Sequence, residues 1–129
     1  MKHFLLVGNP SGSQWSSILR RALSTLGELR IASEANAPRE ISRKNYDAII
    51  VDAGAVQDVN ALTSLLRQDH PQARVIVATA SPTWRRAREA LRAGAADYIR
   101  KSLDEKELLV AIQEALLVPL PALSESKRR

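Results

Sequence analysis

The chain has 129 residues, no cysteine and a formal net charge of +5, which points to one domain built without disulfides, thiolate metal sites or a cysteine nucleophile. A chain of this size buries roughly two-thirds of the surface its unfolded form exposes, so an apolar core alone can hold it. The first apolar run, residues 4–7, is too short for a secretory leader, and no stretch approaches the ~18 apolar residues of a membrane span; the expectation is a soluble, cytoplasmic protein.

Residues 4–7 read as a strand with both faces covered, and Gly8, Asn9 and Pro10 end it. Ser11 and Gln14 have capping-box spacing, and Trp15, Leu19, Ala22 and Leu26 form a helical stripe that stops at Gly27. Residues 28–32 are more polar, as an edge strand can be, and residues 38–44 form a short helix. Residues 48–51 are a second continuous apolar run. Asp58 caps a helix with Val59, Leu62, Leu65 and Leu66 on one face. Residues 75–78 form the next strand. Ser81 precedes a helix with Pro82 at its first position, Trp84, Ala87 and Leu91 on its apolar side, and Gly94 at its end. Residues 97–101 are a short mixed strand. Asp104 caps a last helix with Leu108, Ala111, Ile112, Ala115 and Leu116 as its stripe. Beyond it two prolines and a polar, basic end read as a linker or disordered tail, giving a domain over 1–117 and a tail over 118–129.

Strand and helix alternate five times. That order predicts an α/β fold: a five-stranded, doubly wound parallel sheet of flavodoxin-like order 2-1-3-4-5, with helices on both faces. Sites in such sheets form at the carboxyl ends of the strands. Those ends supply Gly8, Asn9, Asp52, Thr79 and Lys101. A carboxylate, a hydroxyl and an ammonium at one rim can accept a phosphoryl group and stabilise it. The plainer alternative is a carboxylate that only pairs with Lys101. The segment 8–13 can also be read as a phosphate-cradling turn before a helix, but it has neither P-loop nor GxGxxG spacing. His3 and His70 lack partners in sequence and receive no role.

Three segments carry a resemblance. Residues 46–52 end in Asp52, residues 75–80 hold Thr79 followed by Ala80, and residues 93–101 run from Ala93-Gly94 through Tyr98 to Lys101. In order and at domain spacing they resemble the receiver domain of two-component response regulators, a CheY-like module, over about residues 1–117. The resemblance implies Asp52 as phosphoacceptor, Thr79 as switch hydroxyl, Tyr98 as switch aromatic and Lys101 as phosphate contact. It also implies a histidine kinase or another signalling protein as partner, and a signalling role rather than an enzyme's. The departures are as informative. Gly8 and Asn9 stand where receivers usually carry two acids, leaving Asp52 and the neutral oxygen of Asn9 as a weak site for Mg2+. Ser102 stands where a proline usually follows the lysine. The implied function is an atypical receiver that signals through protein contacts, with Mg2+-dependent phosphorylation of Asp52 weakened or lost. A working receiver phosphorylated at Asp52, and a small nucleotide- or flavin-binding flavodoxin-like protein, are the alternatives.

Charge is distributed unevenly. Residues 84–93 carry Arg85, Arg86, Arg88 and Arg92 against Glu89, whereas residues 102–117 carry Asp104, Glu105, Glu107 and Glu114 against Lys106. The expected partner surface is the edge formed by helix 82–93, strand 97–101 and helix 104–117, with Trp84, the four arginines, Asp97, Arg100, Asp104 and Glu105. The opposite charges allow a homodimer across a two-fold axis. The arginines lack a second helix arranged as in a helix-turn-helix, so sequence-specific DNA binding is not expected. Trp84 is expected in the packed rim of its helix.

Overall fold

Near-continuous runs of Ile, Val, Leu and Ala leave a strand needing cover on both faces. The computed structural model, which describes residues 1–122, supplies that cover with helices on either side. The elements are β1 (Lys2–Val7), α1 (Gln14–Leu23), β2 (Gly27–Ala32), α2 (Ala37–Arg43), β3 (Ala48–Asp52), α3 (Val59–Asp69), β4 (Val75–Thr79), α4 (Trp84–Ala93), β5 (Asp97–Arg100) and α5 (Glu105–Leu117). All strand pairs are parallel, in the order β2-β1-β3-β4-β5, as the alternation predicts.

Alternate residues of each strand feed two core layers. Phe4, Leu6, Ile50 and Ile76 pack beneath α1 and α5 against Trp15, Leu19, Leu108 and Ile112. Leu5, Val7, Ile49 and Val51 pack on the other face against Ile41 of α2 and Leu62 and Leu66 of α3. Fully burying one such side chain contributes ~1.5–3 kcal/mol. The seating of α4 is much lighter, because its buried residues are only Ala90 and Ala93. On its expected packing side Ala87 is half-buried and Leu91 exposed.

Several helix starts differ from the sequence expectation. Ser13 rather than Ser11 caps α1, in a reciprocal capping box with Ser16. Thr83 rather than Ser81 caps α4, which places Pro82 before the helix. In both, a hydroxyl stands three residues before a free backbone N–H and wins the cap. Gly27 does not end α1 but opens β2, where a Cβ would stand 1.8 Å from the Lys2 carbonyl oxygen. Gly94 does end α4, in the left-handed region at φ 115°. Asp58 and Asp104 cap α3 and α5 as expected.

The sequence pattern places a linker or tail from residue 118. Pro119 and Pro121 cannot continue a helix, but the carbonyls around them remain acceptors. Arg74 donates to the carbonyls of Ala115 and Val118, and Arg67 donates to those of Gly94 and Pro121. Residues 118–121 are therefore tied to the domain. The rest of the expected tail, 123–129, lies outside the described residues.

Candidate functional site

Parallel register brings the strand ends to one rim. Asp52 closes β3, Thr79 closes β4 and Lys101 follows β5 directly. Asp52 is buried, and the Lys101 ammonium reaches both of its oxygens, at 3.0 Å from Oδ1 and 3.2 Å from Oδ2. The Gly54 backbone N–H also donates to Oδ1, at 3.0 Å. The two side chains are only 10% and 19% exposed, so the pair lies largely out of water. A carboxylate held this way is charge-neutralised before any ligand arrives. Thr79 is buried beside them, and its hydroxyl oxygen accepts the Ser81 backbone N–H at 3.2 Å.

The strand-one end contributes no charge. A Cβ built on Gly8 would meet Asp52 Cβ at 3.4 Å and Oδ2 at 3.9 Å, so this position abuts the carboxylate and leaves it uncrowded. Asn9 was a candidate metal ligand, but its side-chain oxygen accepts the Ser11 backbone N–H at 3.0 Å in an Asx turn. Mg2+ demands near-octahedral oxygen coordination. Here the Asp52 carboxylate is already bonded to Lys101 and Gly54, the Glu34 carboxylate that lines the rim cavity with Gly8, Asn9 and Gly54 accepts the Gln57 N–H, and among the described residues no group of three or more His, Cys, Asp or Glu could hold a metal ion. The donor set does not fit a resident magnesium.

Tyr98 is half-buried on β5, as an edge residue, and borders a cavity of about 270 Å³ shared with Thr79 and Ala90. The residue that sequence reading missed is Trp15. It was placed in the α1 stripe, and it is buried there. Its indole N–H also donates to the Ser102 carbonyl at 3.0 Å, and the Lys101 ammonium lies 5.1 Å from its ring centroid. The available signal was that a buried tryptophan needs an acceptor for its N–H. Its position in the first turn of α1 puts that need at the rim. The described peptide bonds are all trans, the Lys101–Ser102 bond included.

The expected partner surface is exposed, but its charges are not all free. Trp84 is 72% exposed, contrary to the expectation of a packed rim; the buried residues of α4 are Ala90 and Ala93. The Arg88 guanidinium sits 4.5 Å from its ring centroid. Arg85, Arg86 and Arg92 are exposed and make no ion pair among the described residues. Arg100 is exposed and Asp97 half-buried. On the acidic side, Asp104 accepts the Lys106 and Glu107 N–H groups as a cap, and Glu105 pairs with Arg21 of α1 at 3.0 Å. Two of the acids expected to face a partner are thus engaged within the chain.

Comparison with known proteins agrees with this arrangement. The family model of the response regulator receiver domain matches residues 14–113. An orphan response regulator of H. pylori superposes with a TM-score of 0.76 at 23% identity, over 89% of this chain and 96% of that one. A response regulator from Thermotoga maritima gives 0.76 at 21% identity, over 90% and 98%. The beryllofluoride-activated NtrC4 receiver domain dimer gives 0.76 at 24%, over 90% and 97%. No curated protein matches the sequence. The fold is that of these structures, and the family match leaves the flavin- or nucleotide-binding alternative without support. The chain belongs to the response regulator receiver domain family.

Proposed function

We propose that this receiver domain works without a resident magnesium and signals through protein contacts, with phosphorylation of Asp52 weakened or absent. The observation that carries this reading is the occupied carboxylate: Lys101 bridges both oxygens of Asp52, while Gly8 and Asn9 bring no acid to it. A phosphoryl group added to Asp52 would have one ammonium and no dication to balance its charge. The domain is then a cytoplasmic signalling module and not an enzyme, and its Mg2+ affinity is weak. Its partner is a histidine kinase or another signalling protein, met at the edge formed by α4, β5 and α5. Trp84 and the unpaired arginines of α4 form the exposed part of that edge. A homodimer across the same edge is the alternative use. Exposed ion pairs contribute only ~0–1 kcal/mol each, and with Glu105 held by Arg21 such a dimer would depend on apolar contacts. Light scattering at low and high salt tests it.

The presence of Asp52, Thr79 and Lys101 on one rim favours a second reading, a receiver that still takes a phosphoryl group onto Asp52. A titration with Mg2+ and beryllofluoride, followed by amide NMR, separates the two. The metal-free reading expects no saturation at millimolar Mg2+. Saturation well below that, with shifts at Asp52, Thr79 and Lys101, would establish the second.

A further inference from the structure

We propose that Trp15 is a positioning residue for Lys101, holding its ammonium on Asp52 in place of the acids that Gly8 and Asn9 do not supply; this rests on the metal-free reading of the site. A lysine head on a flexible stem loses much rotamer freedom when it is fixed. Asp52 accepts from the ammonium through both oxygens. The Trp15 ring is a second contact, with the ammonium 5.1 Å from its centroid. An aromatic face attracts a cation without adding a formal charge. The site therefore gains a second hold on Lys101 and keeps the one-to-one balance of the Asp52–Lys101 pair.

The same side chain also grips the backbone. Its indole N–H donates to the carbonyl of Ser102, the residue directly after Lys101, at 3.0 Å. Head and main chain of the Lys101–Ser102 step are thus both contacted by one tryptophan, itself 5% exposed and packed in the α1 core layer. Trp15 lies just beyond the Gly8–Asn9 loop, at the start of α1. The segment that brings no acid to the site thus leads into the residue that steadies the lysine.

The test is hydrogen exchange of the Lys101 side-chain ammonium, followed by nitrogen-15 NMR at low temperature in the whole chain. Trp15→Phe keeps an aromatic face and loses the N–H; Trp15→Leu loses both. The expected result is a protected ammonium in the wild type, partial protection in Trp15→Phe and exchange about tenfold faster in Trp15→Leu. A Trp15→Leu protein with a native amide spectrum and unchanged Lys101 exchange overturns the proposal, as does a Trp15→Phe protein that exchanges as fast as Trp15→Leu. If Trp15→Leu does not fold, the wild type decides: the Lys101 Hε protons must be shifted upfield by the indole ring current, and shifts at their free values overturn the assignment. Saturation of the wild type by sub-millimolar Mg2+ and beryllofluoride would defeat the metal-free reading and leave this comparison intact.

Discussion

Placing acids at positions 8 and 9 should make the stability of the domain depend strongly on Mg2+. Gly8 has no positive φ, and a Cβ there meets its neighbours at ordinary contact distance, 3.4 Å from Asp52 Cβ. Gly8→Asp with Asn9→Asp is therefore sterically tolerated near the strand end. The new carboxylate at position 8 would stand close to that of Asp52, since the Cβ alone lies 3.9 Å from Oδ2. Two like charges ~4 Å apart repel by ~1 kcal/mol in water and ~4 kcal/mol at an effective dielectric of about 20. Lys101 offsets part of this, so a loss of about 2 kcal/mol without metal is expected. For a domain of this size that lowers Tm by roughly 6–10 °C. Mg2+ at about 100 times its Kd would return ~2.7 kcal/mol. Thermal melts of wild type and double variant, with chelator and with 10 mM Mg2+ (about 100-fold above a ~0.1 mM Kd), check this. The wild type, with its weak Mg2+ affinity, should gain no more than about 2 °C. A larger wild-type gain, or a double variant indifferent to Mg2+, would refute the reasoning about the strand-one end.

Other substitutions probe other parts of the argument. Lys101→Ala leaves Asp52 buried without its cation and should cost about 2–4 kcal/mol in urea unfolding, below the fully buried limit because the pair is partly wet. Gly94→Ala forces a side chain into φ 115° with its Cβ 3.0 Å from Arg67 Cγ, and should cost roughly 1–3 kcal/mol with the urea m-value unchanged. The Tyr46 hydroxyl is pushed up to about 12 by burial and by its hydrogen bond to Glu40. Its folded value lies above the unfolded one, so the folded state binds the extra proton between pH ~10 and ~12. That stability is full below pH ~10 and lost as pH rises toward 12. In Tyr46→Phe the tyrosinate absorbance step near 12 should disappear along with this alkaline loss.

The strands were legible because their apolar runs are continuous, and Asp52, Thr79 and Lys101 were legible because parallel strands must end at one rim. Asp58 and Asp104 announced their helices because an aspartate just before an apolar stripe has few other uses. What stayed hidden depended on competition or on distance in sequence. Ser11 and Ser13 both offer a cap, and only the turn at Gly12, with φ 88°, selects Ser13. Trp84 reads as core because it shares a side with Ala87 and Leu91; α4 buries Ala90 and Ala93 instead, which leaves Trp84 and Leu91 exposed. Trp15 meets Ser102 across 87 residues, a contact no local pattern encodes. Asn9 looked like a metal ligand because its oxygen is an acceptor, and the Asx turn shows which donor takes it.

The two arginines at the amino-terminal pole of the sheet bear on where the folding unit stops. Helix periodicity suggests cutting the chain at Leu117. That cut would strip Arg74 of its Val118 acceptor and Arg67 of its Pro121 acceptor. Arg67 is 3% exposed, has no carboxylate partner among the described residues, and its guanidinium is pushed below its ordinary value by burial. Hydrogen bonds to a charged group are worth about 1.5–3 kcal/mol each, so excision at the helix end would forfeit a sizeable part of the stability. A fragment ending at Pro121 keeps both of these acceptors. Its exit lies beside the ends of α3 and α4, at the pole opposite Asp52, and anything joined there would hang from a guanidinium that also holds the last carbonyl of α4's cap.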